Sequence, residues 1–146
     1  MRSSARLALC VLAACSNAPL ATTLTSTSPS PAPDVFQCAR DQLKALRFDQ
    51  TSVDVDARRV TARRFDDKAR RPDVQFRRMV DRIEVEAVPS EDGATQLEVL
   101  ARTFGEYTTQ RGPTENEEKA SEGVLAAAQT VVQKCSQPVD STSIPG

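Results

Sequence analysis

Residues 82–102 read RIEVEAVPSEDGATQLEVLAR, and this stretch decides the fold. Ile83, Val85 and Ala87 alternate with Arg82, Glu84 and Glu86, and then Leu97, Val99 and Ala101 alternate with Glu98, Leu100 and Arg102. Successive side chains of a strand point to opposite faces, so each run predicts a strand with one buried side. Pro89-Ser90-Glu91-Asp92-Gly93 lies between them, and Asp-Gly is good turn chemistry, so the two strands form a hairpin. Upstream the same period recurs. Val53 and Val55 alternate with Asp54 and Asp56, and Val60 and Ala62 alternate with Thr61 and Arg63, which predicts a first hairpin turning at Asp56-Ala57-Arg58. Residues 66–73 and 105–113 read as loops.

On either side the period changes to that of a helix. Phe36, Ala39, Leu43 and Leu46 recur at spacings of three and four, with Asp34 placed to cap the start and Gln37 to complete a capping box. Val124, Ala127, Ala128, Val131 and Cys135 form the matching stripe of a last helix stopped by Pro138. Its start is open: Thr114 with Glu117 offers a capping box, yet the apolar period begins nearer Ala120. The order is α-β-β-β-β-α. Strands with one apolar face and helices with one apolar stripe predict an α+β, two-layer sandwich, an antiparallel sheet with both helices on one face. The domain is expected over residues 34–137, followed by an unstructured tail at 138–146.

The first residues carry a different signal. Arg2 and Arg6 precede the apolar run Leu7-Ala8-Leu9-Cys10-Val11-Leu12-Ala13-Ala14, the layout of a signal peptide and too short to span a membrane. Leu12-Ala13-Ala14-Cys15 resembles the lipobox of bacterial lipoproteins. The resemblance covers only about the first 15 residues and implies cleavage after residue 14, with a diacylglycerol thioether on Cys15. It places the chain in the cell envelope, held on the membrane by its lipid. Ser16 after the lipidated cysteine implies an outer-membrane destination in a Gram-negative organism. An ordinary secreted protein cut after Ala14 is the competing reading. Residues 15–33 are almost wholly Ser, Thr, Pro and Ala and read as a tether lifting the domain off the lipid.

Export would leave Cys38 and Cys135, one on each predicted helix, in a compartment that permits oxidation, which predicts a disulfide between them. A redox pair or a metal site would be the alternative, but there is neither a CxxC motif nor any histidine. The missing histidine also removes the usual general base and most transition-metal sites. No glycine-rich phosphate loop occurs among five glycines. No cofactor is implied. Two carboxylate pairs, Asp54 with Asp56 and Glu84 with Glu86, each project to one face of a strand and could serve a hydrolase or a glycan-binding domain.

Charge is segregated. Residues 57–82 hold ten basic side chains against four acids, and residues 83–122 hold ten acids against three basic ones. Either the two blocks pair across the sheet, or Arg70, Arg71, Arg77 and Arg78 form a surface for an anionic envelope component or protein partner. Without Arg2 and Arg6 the chain carries 17 basic and 20 acidic residues, a balance that argues against nucleic-acid binding. A non-enzymatic binding or structural accessory domain is the expected function.

Overall fold

The structure, a computed structural model, describes residues 18–138. It is α+β, with two helices and a six-stranded antiparallel sheet. The elements are β1 (Thr22–Ser28), α1 (Ala32–Ala45), β2 (Asp49–Asp54), β3 (Arg59–Asp66), β4 (Phe76–Pro89), β5 (Thr95–Thr109), β6 (Gly112–Glu118) and α2 (Glu122–Cys135). The expected order of helix, four strands, helix is present, with one strand added before the first helix and another before the last. The sheet runs β1-β5-β4-β3-β2, and β6 pairs with β5 beyond the end of β1.

The deciding hairpin is β4–β5. Its register places Val85 opposite Val99 and Ile83 opposite Ala101, and β3 extends both rows with Val60 and Ala62. These six side chains are at most 1% exposed. Val35, Phe36, Ala39 and Leu43 of α1 and Val124, Ala127, Ala128, Val131 and Cys135 of α2 belong to the same buried cluster. Gly93 closes the hairpin at φ 83°, a conformation that favours glycine. Between β2 and β3 the turn has no glycine, and Arg58 itself takes φ 50°. That turn is held by Asp54, which accepts from the Ala57 N–H at 2.9 Å, and by the Arg58 carbonyl, which accepts from the Ala87 N–H at 3.0 Å.

Three expectations are corrected. The expected tether at 15–33 contains β1 and the start of α1, so the domain begins before residue 34. Apart from Leu24, β1 is made of Thr and Ser, and threonine is a good strand former because its branched Cβ fits the pleat. Its inward positions are mostly hydroxyls with polar partners: Ser28 Oγ accepts from the Ser30 N–H at 3.3 Å, and the Ser26 and Ser136 hydroxyls hydrogen-bond each other at 2.6 Å. Helix α1 starts at Ala32 after Pro31, with Pro33 in the first turn, where its missing N–H costs nothing. Asp34 lies inside that turn rather than capping it, and its charge complements the helix dipole.

The expected loop at 105–113 is instead the end of β5, a two-residue turn and the start of β6. Thr114 and Glu117 lie on that strand, so they cap no helix. The N-cap of α2 is Ser121, whose hydroxyl accepts from the Val124 N–H at 3.0 Å. Residues 67–75 connect β3 to β4 without helix or strand, close to the expected loop at 66–73. The signal-peptide expectation and most of the expected tail lie outside the described residues.

Candidate functional site

The segregated charge blocks meet across the sheet. On the side chains of opposite parity to the buried rows, Arg59 bridges to Glu86 at 2.9 Å, Arg78 to Glu106 at 3.2 Å and Arg82 to Glu115 at 3.0 Å. Arg102 holds Glu117 with two hydrogen bonds of 2.8 and 2.9 Å. On the other side of β6, Arg71 makes a two-point bridge to Glu118 and donates to the Tyr107 hydroxyl at 2.8 Å. These hydrogen bonds hold the Glu117 and Glu118 carboxyls below the usual carboxylate range, and raise Arg71 and Arg102. Arg59 is raised in the same way by the hydrogen bond it donates to Glu86.

Beneath the guanidinium groups runs a short apolar row, Phe65–Val80–Phe104, in register across three strands. Arg82 and Arg102 lie over the Phe104 ring at 4.5 and 4.9 Å, and Arg78 and Arg63 over Phe65 at 3.6 and 4.9 Å. Phe104 is 7% exposed and Val80 not at all, yet neither belongs to the main core. The arginine stems and planes cover this row.

The four arginines proposed for an anionic partner therefore divide. Arg71 and Arg78 are ion-paired, and Arg78 also approaches Asp67 at 3.8 Å. Arg70 is exposed and donates to the carbonyls of Asp67 and Ala69. Arg77 is exposed at a β-bulge between Phe76 and Arg78, with no carboxylate partner among the described residues. Cys15 lies outside the described residues. Cys38 and Cys135 form a disulfide, with Cα atoms 5.8 Å apart.

The carboxylate pairs divide as well. Asp54 ends β2 and Asp56 falls in the turn, so the expected shared strand face does not exist there: the strand stops because the turn takes Asp54 as its backbone acceptor. Glu84 and Glu86 do share a face of β4. They line, with Arg59 and Glu98, a space of only about 50 Å³. Among the described residues no group of three or more His, Cys, Asp or Glu side chains is placed to hold a metal ion.

A polar cluster not anticipated from sequence sits where α2 begins. Asp81 Oδ1 accepts from the Thr103 and Ser121 hydroxyls, both at 2.8 Å, and its Oδ2 accepts from Arg64 at 3.3 Å. Arg64 also donates to the Leu46 carbonyl just past the end of α1 and lies over the Phe48 ring. A cavity of about 520 Å³ opens beside it, lined in part by Arg64, Asp66, Lys68, Asp81 and Ser121. The hydrogen bonds fix every proton. Both hydroxyls point theirs at the carboxylate, Ser121 Oγ accepts from Val124 N–H, and Thr103 Oγ accepts from Ser121 N–H at 2.9 Å. Ser121 thus commits one lone pair to the helix cap and faces a carboxylate, a weak base, which suits anchoring better than nucleophilic attack. The one sequence signal was parity: Asp81 is a charge in the inward phase of Ile83, Val85 and Ala87.

No protein-family model matches this chain, and no curated protein matches it either.

Proposed function

We propose that this chain is an exported, lipid-anchored protein of the cell envelope, whose small domain serves as a non-enzymatic binding or structural accessory module. The observation that carries the proposal is the Cys38–Cys135 disulfide. A bond of this kind persists in oxidising compartments outside the cytosol, the destination implied by the lipobox resemblance. Of the four cysteines it leaves Cys15 available for lipid. The domain reads as a two-layer sandwich with both helices on one face, since α1, α2 and the inward rows of the sheet share one buried cluster. Support for a non-enzymatic role comes from where the polar groups are used: hydroxyls and acids that could do chemistry cap a helix or bridge arginines.

Cys15→Ala tests the anchor. The wild-type chain should label with fatty acid and partition into detergent, and the variant should accumulate as uncleaved, unlabelled precursor. A variant that still matures and still takes up the label would show the anchor to be elsewhere.

A further inference from the structure

The geometry points to β1 as a homodimerisation edge, at which a second copy of this chain adds its own β1 antiparallel and extends the sheet across a two-fold axis. Among the described residues strand β1 ends the sheet path and pairs only with β5, so one side of its backbone has no strand partner there. Unpaired edges are templates for further strands, and proteins usually defend them with charges, prolines or bulges. The other margins here are defended. β2 carries Asp49 and Asp54 and a bulge between Gln50 and Ser52, and β6 carries Pro113, Glu115, Glu117 and Glu118. β1, reading TTLTSTS, has none of these, and its register to β5 is unbroken over all seven residues.

Charge complementarity selects a second copy as the occupant. A two-fold interface sets each patch against itself, so a charged patch would repel its own image. Of 146 residues 39 are charged, yet none lies between residues 18 and 33, nor between 123 and 133 of the flanking α2. Beside β1 lies a groove of about 440 Å³, lined by Thr23, Leu24, Thr25, Gln129, Val132 and Gln133, none of them ionisable. Leu24, Leu125 and Val132 are only partly buried against the core. Interface centres are depleted of charge in this way. The strand also matches itself in chemistry. Paired about Thr25, it sets Thr23 opposite Thr27 and Leu24 opposite Ser26, and threonine pairs across strands are favourable.

The register makes the test sharp. At the two-fold axis the two copies of Thr25 face each other at about 4.5–5.5 Å between Cα atoms, within disulfide reach. The two copies of Thr23 lie roughly 13 Å apart and cannot be bridged. Mild oxidation of envelopes containing the full chain should therefore give a reducible dimer with Thr25→Cys and none with Thr23→Cys alone. Co-expressed Thr23→Cys and Thr27→Cys chains should cross-link to each other. In parallel, the detergent-extracted wild-type chain should sediment as a dimer at tens of micromolar. Thr25→Lys, whose new amine faces Glu98 on β5 within its own chain, should sediment as a monomer that keeps the wild-type circular dichroism of a folded chain. Three results would overturn the proposal: no cross-link from Thr25→Cys, a Thr25→Lys chain that stays dimeric, or a wild-type chain that is monomeric or held by a different protein.

Discussion

Asp81 carries more structural consequence than any other charged residue described. It is 9% exposed and joins β4 to β3 through Arg64, to β5 through Thr103 and to the first turn of α2 through Ser121. Removing a buried acceptor costs more than its hydrogen bonds contribute, because the donors left behind have lost their water as well. Asp81→Ala should lower the unfolding free energy by about 3 kcal/mol. Ser121→Ala removes one cap and one donor and should cost about 1 kcal/mol. Urea denaturation of both variants checks the ranking, and equal effects would show that the carboxylate is not the hub. Gly105 is a second sensitive position for a steric reason. A Cβ there would stand 2.7 Å from Glu118 Oε1 and 2.9 Å from the Tyr107 ring, so even Gly105→Ala must push aside the partners of Arg71.

At the scale of elements, β6 shows why an acidic strand can form. Gly112–Glu118 has no apolar alternation, and its glutamates meet arginines from β4, β5 and the preceding loop. Exposed pairs are individually worth about 0–1 kcal/mol, so Arg71→Ser should lower stability slightly, while Arg70→Ser and Arg77→Ser should leave it unchanged. The pH dependence follows from the same pairs. Glu117 and Glu118 hold their protons less tightly folded than unfolded, so their stabilisation is complete above the ordinary carboxylate value of about 4.3. It is lost as pH falls through their lower folded values. Thermal melting should therefore be level from pH 7 to about 5 and decline below about 4.3, with a smaller decline in Glu118→Gln. A variant that declines as steeply as wild type would remove Glu118 from that account.

These elements also show what the sequence could disclose. The strands β3 to β5 were legible wherever valine, leucine and isoleucine alternated with charge, and both helices wherever apolar residues recurred at three and four, whereas Val53 and Val55 misled for β2: both are exposed, and Val55 falls in the turn beyond the strand. β1 was hidden because its inward side is largely hydroxyl, and β6 because its partners are ionic; neither gives a hydropathy period. The arginine block was visible as charge, but which arginines pair depends on a register set by residues twenty to fifty positions away. Asp81 was visible only as a charge in the wrong phase.

For the whole molecule, the two helices are tied by a bond spanning 97 residues. In the chain-entropy model such a loop is worth up to about 4.7 kcal/mol, so Cys38→Ser with Cys135→Ser should unfold at markedly lower denaturant, and reductant should reproduce the shift in wild type. The early start of the domain has a further consequence for the proposed anchor. Had residues 15–33 been free, the domain could have stood roughly 60 Å from the lipid. Instead the Leu20 carbonyl accepts from the Ala120 N–H at 2.9 Å, and β1 follows at once. Leu20 stands five positions after Cys15, a reach of at most about 18 Å. A lipidated chain would thus hold its domain against the headgroups. Energy transfer from a dye at Lys119 to acceptors in the vesicle surface should be efficient. Inserting fifteen Gly and Ser residues between Asn17 and Ala18 should reduce it while leaving the protein vesicle-bound. Transfer that does not change on insertion would contradict the short reach, whereas protein absent from the vesicles would instead contradict the lipid anchor.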